Sequence, residues 1–208
     1  MCWSAEADLV AGAGIAAVGV AGVACVVRAR TAPRVLPLAA LPLLLGAHQM
    51  IEAAVWAGDG GTGPATVLWA VIALPLLPLW VPLGVLLAVP GRRTLMVPAA
   101  VGVLTAAALV YALATRPVSA EIRGHTVGYV PDLPAAGLIV AGYLFATIGS
   151  LLLSGDRGLR VLWVLVTVGA LVCVLLWRTE FVSTWCAFAA VCSVVLLGWV
   201  RGVPAKAA

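Results

Sequence analysis

Apolar runs of about twenty residues recur along the chain, separated by short segments where Arg, Gly, Pro and Asp collect. At a rise of about 1.5 Å per residue, such runs match the roughly 30 Å hydrocarbon core of a bilayer. They predict an all-α integral membrane protein with seven transmembrane helices, at about 9–27, 35–56, 67–89, 94–114, 135–153, 159–177 and 181–200. These helices consume most of the 208 residues, so residues 1–208 are expected to form a single transmembrane domain with no soluble one. The longest stretch outside them, 115–134, mixes Glu121, Arg123, Gly124, His125, Tyr129 and Asp132 with alternating Ile122, Val127 and Val130. That texture predicts a short hairpin or folded lid on the outer side.

Composition agrees, with 64% hydrophobic and 10% charged residues and a mean hydropathy of +1.17. Charge then fixes an orientation. Arg28, Arg30, Arg34, Arg92, Arg93, Arg157, Arg160, Arg201 and Lys206 fall in alternate loops, and only Arg116, Arg123 and Arg178 fall in the others. Lys and Arg in short loops favour the cytoplasm. The amino terminus is therefore expected outside and the carboxyl terminus in the cytoplasm, in a bacterial inner membrane. Glu6, Asp8, Asp59, Glu121, Asp132 and Glu180 lie on the outer side and Asp156 on the inner. The pI near 9.0 thus reflects topology, with the lipid bilayer as partner and no nucleic acid. Glu6 and Asp8 stand where a signal peptide would be basic, so the first helix is expected to be a retained anchor. Cys2 follows no apolar stretch and is not expected to be a lipoprotein site.

Against this apolar background, helix two carries His48, Gln49 and Glu52. Ionisable groups in a span cost roughly 2.5–3.5 kcal/mol each at its centre on insertion scales, which marks them as functional candidates. His48 and Glu52 are one turn apart and share a face. Counted from the cytoplasmic start of the helix, they lie roughly 20 Å and 26 Å along it, in the outer third of the bilayer. Trp3, Ser4, Arg178, Glu180, Ser183 and Trp185 are expected at the same level. An outward-facing polar pocket is expected from His48, Gln49, Glu52, Trp56, His125, Tyr129, Arg178, Glu180 and Trp185. A divalent metal could be held by His48, Glu52 and His125, with Glu180 as a further ligand. The same His–Glu pair could act as an oriented base. It could equally be polar glue between helices, bonded to Arg178.

Several classes are excluded. Lys206, in the tail, is the only lysine, so no membrane lysine can hold retinal. Two histidines and no HxxxH argue against a three-histidine zinc hydrolase. The inner helix halves lack carboxylates for a proton relay, and helices three, four and six are too apolar for an ion channel. No phosphate-binding glycine loop, GxSxG or internal repeat is present. The five cysteines show no CxxC spacing. Free thiols are expected over a bridge from Cys2 to Cys173 or Cys186. Pro75, Pro78 and Pro82 should bend helix three, and Pro37 and Pro42 precede the His48 cluster in helix two. Small residues at four-residue spacing in helices one and five suit close packing or a homo-oligomer.

The opening Met1-Cys2-Trp3-Ser4-Ala5, the stretch Leu41–Glu52 followed by Trp56, and Trp185-Cys186-Ala187-Phe188-Ala189 together resemble an uncharacterised family of small bacterial multipass membrane proteins. Trp3 departs from the phenylalanine usual in that opening. The richness in Ala, Val, Leu, Gly and Arg suits a high-GC actinobacterial genome. The resemblance implies no activity or cofactor. The expected function is recognition of a small molecule or lipid headgroup, as a sensor or accessory subunit. A metal-dependent membrane hydrolase and a purely structural assembly partner are the alternatives.

Overall fold

A computed structural model describes residues 4–28, 33–133, 135–176, 184–185, 188 and 190–203. Helix α1 (Ala5–Arg28) begins four residues ahead of the apolar run. Ser4 caps it, its Oγ accepting the Ala7 amide at 3.2 Å, which satisfies one of the unpaired first-turn donors. A 3₁₀ turn (Pro33–Val35) leads into α2 (Leu36–Ala57). The third span runs through α3 (Pro64–Val71), a π-helical turn (Ile72–Leu76) and α4 (Leu77–Ala88). After α5 (Met96–Thr115) come strands β1 (Val118–Arg123) and β2 (Thr126–Pro131). The fifth span combines α6 (Ala136–Leu144), a second π turn (Phe145–Gly149) and α7 (Ser150–Leu153). Helices α8 (Arg157–Leu176) and α9 (Ser193–Gly202) complete the described chain.

Among the described residues, six helical segments are long and apolar enough to cross a membrane: Ala5–Arg28, Pro33–Ala57, Pro64–Ala88, Arg93–Thr115, Ala136–Leu153 and Arg157–Leu176. The seventh expected span, 181–200, lies partly outside the described residues, and α9 is its described helical part. Val10, Leu104 and Leu175 are 74%, 71% and 78% exposed. Apolar side chains so displayed on α1, α5 and α8 belong against lipid, not water. The protein has the build of a multipass membrane protein.

Helices α1 and α2 form the closest pair. Gly12 lies against Gly46 and Met50, Gly19 against Leu43, and Gly22 against Ala39, so the two run antiparallel. A Cβ added at Gly46 would meet the Ala16 nitrogen and the Gly12 oxygen at 2.7 Å each, a distance that only glycine permits.

The lid expected at 115–134 is an antiparallel β-hairpin with Arg123 paired to Thr126 across a two-residue turn. Gly124, with φ +62°, takes the first central position, as a type II′ turn requires. Residues Gly61 and Ala120 exchange backbone hydrogen bonds of 2.8 and 2.9 Å, tying the α2–α3 loop to β1. Arg116 pins the hairpin base through Asp132 at 2.8 Å.

At the opposite end, Arg28 and Arg201 border one groove. Arg92 donates to the Leu153 carbonyl at 2.7 Å, and Trp199 donates to Asp156 at 2.9 Å. The clustered arginines of the sequence thus share one end of the bundle, away from the hairpin. Cys25, Cys173 and Cys192 are free thiols, so a Cys2–Cys173 bridge is not formed. Cys2 and Cys186 lie outside the described residues.

Candidate functional site

Helix α2 presents two stripes to its neighbours. One, through Ala39, Gly46 and Met50, faces α1. The other, Leu38, Leu41, Leu45, His48 and Glu52, faces the bundle centre and changes from apolar to polar toward the hairpin end. That stripe follows from helical spacing, since residues three and four apart stack on one face. His48, Gln49 and Glu52 are at most 1% exposed.

Above His48 lies an aromatic column. The His48 ring is 4.8 Å from that of Trp69, tilted by 40°. Trp69 in turn stacks on Tyr129 of β2 at 3.4 Å and 4°. Tyr129 reaches it because Val118, Ala120, Val127 and Tyr129 form the buried face of the hairpin. The hairpin is therefore a seated lid, and the polar residues beneath it are enclosed. The outward-facing pocket expected from the sequence is roofed over, because the α2–α3 loop and the aromatic column draw the hairpin down onto the helix ends.

Among the described residues, neither ring nitrogen of His48 and neither amide atom of Gln49 has a hydrogen-bond partner. The indole nitrogens of Trp56 and Trp69 are likewise buried without one. Asp8 is also fully buried. It sits one turn beyond Gly12 on α1, so the antiparallel register sets it at the level of Glu52–Ala54 on α2. Asp8 and Trp69 were missed by sequence reasoning. Asp8 reads as a flanking charge, and Trp69 is one more apolar residue within its span. The available signal was the stripe Asp8, Gly12, Ile15, Gly19, Gly22, which continues the small-residue face of α1.

On the inner side of the polar layer is an apolar cavity of about 90 Å³, bordered by α2, α4, α6, α7, α8 and α9. Its wall is shaped by the π turn at Ile72–Leu76. There Leu77 donates to Ile72, and Pro78 has no amide to offer, so the Ala73 carbonyl is left without a helical donor. The Tyr143 hydroxyl supplies one at 2.7 Å. Tyr143 also meets Trp185 edge-on at 5.9 Å.

The remaining expected residues divide as follows. Trp185 lines this apolar cavity and donates to the Val166 carbonyl at 3.3 Å, below the polar layer in which it was expected. His125 is exposed at the hairpin tip, several residues along the strand from Tyr129. The expected metal set of His48, Glu52 and His125 is therefore not brought together. Among the described residues, no three His, Cys, Asp or Glu side chains are grouped to hold a metal ion. Arg178 and Glu180 lie outside the described residues.

All 208 residues match a single protein family, DUF6629. The chain belongs to this family of unknown function. No curated protein and no solved structure matches it. In this DUF6629 member, the stretch Leu41–Glu52 that carries the resemblance supplies both the cavity wall and the polar layer.

Proposed function

We propose that this DUF6629 member is a bacterial inner-membrane protein that binds a small molecule or lipid headgroup in the polar layer enclosed by α1, α2, α3 and the hairpin. It would serve as a sensor or accessory subunit. One observation carries this reading: the four polar side-chain atoms of His48 and Gln49 are buried and, among the described residues, unbonded. An unsatisfied buried polar group costs about 1–3 kcal/mol, so a site holding several is built for a partner. Side chains serving only as glue between helices would bond one another or the backbone, and among the described residues these do not. No observation favours the metal-dependent hydrolase, since His125 stands apart.

The test is native mass spectrometry of protein purified in mild detergent, comparing wild type with Gln49→Leu. The leucine keeps the volume and removes both polar atoms. Wild type is expected to carry close to one non-covalently bound molecule per chain, and Gln49→Leu less than about a tenth of that, with melting no lower than wild type. A wild type that carries nothing, alongside a Gln49→Leu protein that melts higher, would leave no role for a ligand.

We infer the orientation from the arginine-rich end. With that end cytoplasmic, the seven expected spans put the hairpin outside. A membrane-impermeant maleimide applied to intact cells should modify His125→Cys and leave Arg93→Cys unmodified beyond the parent background. Reversed labelling would invert the topology.

A further inference from the structure

We propose that the groove between α1 and α9 at the arginine-rich end seats one anionic phospholipid, its phosphate held by Arg28 and Arg201 and the start of its acyl chains lying on the apolar walls. This site stands at the opposite end of the bundle from the polar layer and does not depend on how that layer is read.

The two helices meet at Gly22, where an added Cβ would stand 3.8 Å from the Leu197 side chain. Toward the arginine-rich end they leave a groove of about 470 Å³, bordered by Ala24, Cys25 and Arg28 on one side and by Val200, Arg201 and Val203 on the other. That volume falls within the roughly 300–1,000 Å³ of small-molecule sites. The chemistry divides along the groove. Arg28 stands one turn beyond Ala24 on the same face of α1, and both arginines occupy the last turn of their helices. Apolar surface therefore gives way to charge at the bundle end. Val20 and Val27 are exposed on α1 beside it, as surface that lies against acyl chains is.

The two guanidinium groups are free to take a ligand. Elsewhere at this end, Arg92 donates to the Leu153 carbonyl at 2.7 Å and Arg160 to the Gly155 carbonyl at 3.2 Å, and both serve the fold. Arg28 and Arg201 make no hydrogen bond or ion pair among the described residues. No acidic side chain borders their groove among the described residues. The adjacent groove, which shares Val203, contains Asp156. That carboxylate already accepts from the Trp199 indole and the Leu159 amide.

Two unpaired guanidinium groups at one rim fit an oxyanion, and arginine matches phosphate with paired N–H donors. A soluble phosphate would leave the apolar walls uncovered. An acidic peptide would have to set its backbone polar groups against hydrocarbon. A phospholipid satisfies both halves of the groove, and basic pockets between membrane helices are a recurrent seat for anionic headgroups. A headgroup with net negative charge is favoured over phosphatidylcholine, which carries its own cation beside the phosphate.

The test is native mass spectrometry of the full chain in mild detergent, titrated with palmitoyl-oleoyl-phosphatidylglycerol or palmitoyl-oleoyl-phosphatidylcholine. Wild type is expected to hold one phosphatidylglycerol at least fivefold more tightly than one phosphatidylcholine. The double variant Arg28→Gln/Arg201→Gln should lose that preference. Arg93→Gln/Arg157→Gln, which removes the same charge outside the groove, should keep it. Ala24→Phe fills the groove and leaves every charge in place, and should weaken phosphatidylglycerol binding at least fivefold. Ala21→Leu replaces it if the larger ring does not fold. Gln49→Leu should bind phosphatidylglycerol as wild type does, which separates this site from the polar layer. Equal loss in the two arginine pairs would reduce the effect to general charge attraction and overturn the proposal. So would displacement by glycerol 3-phosphate at equal concentration, since the acyl chains would then add nothing. A dimer that Ala24→Phe dissolves would also overturn it, by placing a second copy of the chain in the groove.

Discussion

Replacing Trp69 with alanine is expected to cost about 3–5 kcal/mol, the range for removing a fully buried aromatic side chain. In a chain of this length that is a fall in Tm of more than about 6 °C. The size of the effect comes from position as much as volume. Trp69 is 0% exposed and stands between His48 on one side and Tyr129 on the other. Its ring is the one aromatic link between the hairpin and the centre of the bundle among the described residues. Once it is gone, the hairpin retains the buried side chains of Val118, Ala120 and Val127, the Gly61–Ala120 backbone bonds and the Arg116–Asp132 ion pair. The ion pair lies at the rim, where an exposed pair contributes at most about 1 kcal/mol. The hairpin should then open more often, and trypsin should cleave at Arg123 faster in Trp69→Ala than in wild type under native conditions. Trp69→Phe should recover part of both losses by restoring a stacking surface. Unchanged melting and unchanged cleavage in Trp69→Ala would mean that the column does not hold the lid.

Most of the framework was legible in the chain because membrane spans are a local signal. An apolar run must satisfy its own backbone by forming a helix, and six observed segments lie within a few residues of the expected ones. The shifts have identifiable causes. Helix α1 starts at Ala5 because Ser4 caps it, although Glu6 and Asp8 interrupt the hydropathy. The hairpin was legible from its alternation, and Gly124 supplies the turn. Helix two announced His48, Gln49 and Glu52 because polar groups there are costly.

What eluded the sequence depends on contacts between segments far apart in the chain. Trp69 meets Tyr129 across sixty residues, and nothing in either local pattern marks the pair. The alternation in 115–134 reads as a lid, but how closely that lid seats on the polar layer depends on the Trp69–Tyr129 stack. The cavity needs six helices and a π turn whose freed carbonyl is answered by Tyr143, seventy residues away. His125 was drawn into the candidate site as a histidine of the lid at the level of His48 and Glu52, and strand geometry carries it to the tip instead.

The geometry of the polar layer depends in turn on how closely α1 approaches α2, and Gly46→Leu tests that dependence. The backbones touch there. Even a Cβ at Gly46 would stand 2.7 Å from the Ala16 nitrogen and the Gly12 oxygen and 2.9 Å from the Ala16 Cβ. Overpacking a well-filled site costs about 1–3 kcal/mol when side chains can move aside. Backbone atoms of two helices cannot, so the whole pair must separate, and the expected cost is about 3 kcal/mol or more. Separation would also draw Asp8 away from the level of Glu52–Ala54 and admit lipid or water to a layer that is now closed. Gly46→Leu should therefore lower Tm by more than about 6 °C. Gly46→Ala should fall between it and wild type. A cysteine pair at Asp8 and Ala53, placed to report the register, should crosslink less readily in the Gly46→Leu background than in the parent. The distinction from Gln49→Leu is the informative part. Removing polar atoms should empty the site and leave the protein as stable as before, whereas forcing the helices apart should destabilise the scaffold that places those atoms. If Gly46→Leu melts within about 2 °C of wild type and crosslinks equally well, the close approach of α1 and α2 is not what sets the polar layer.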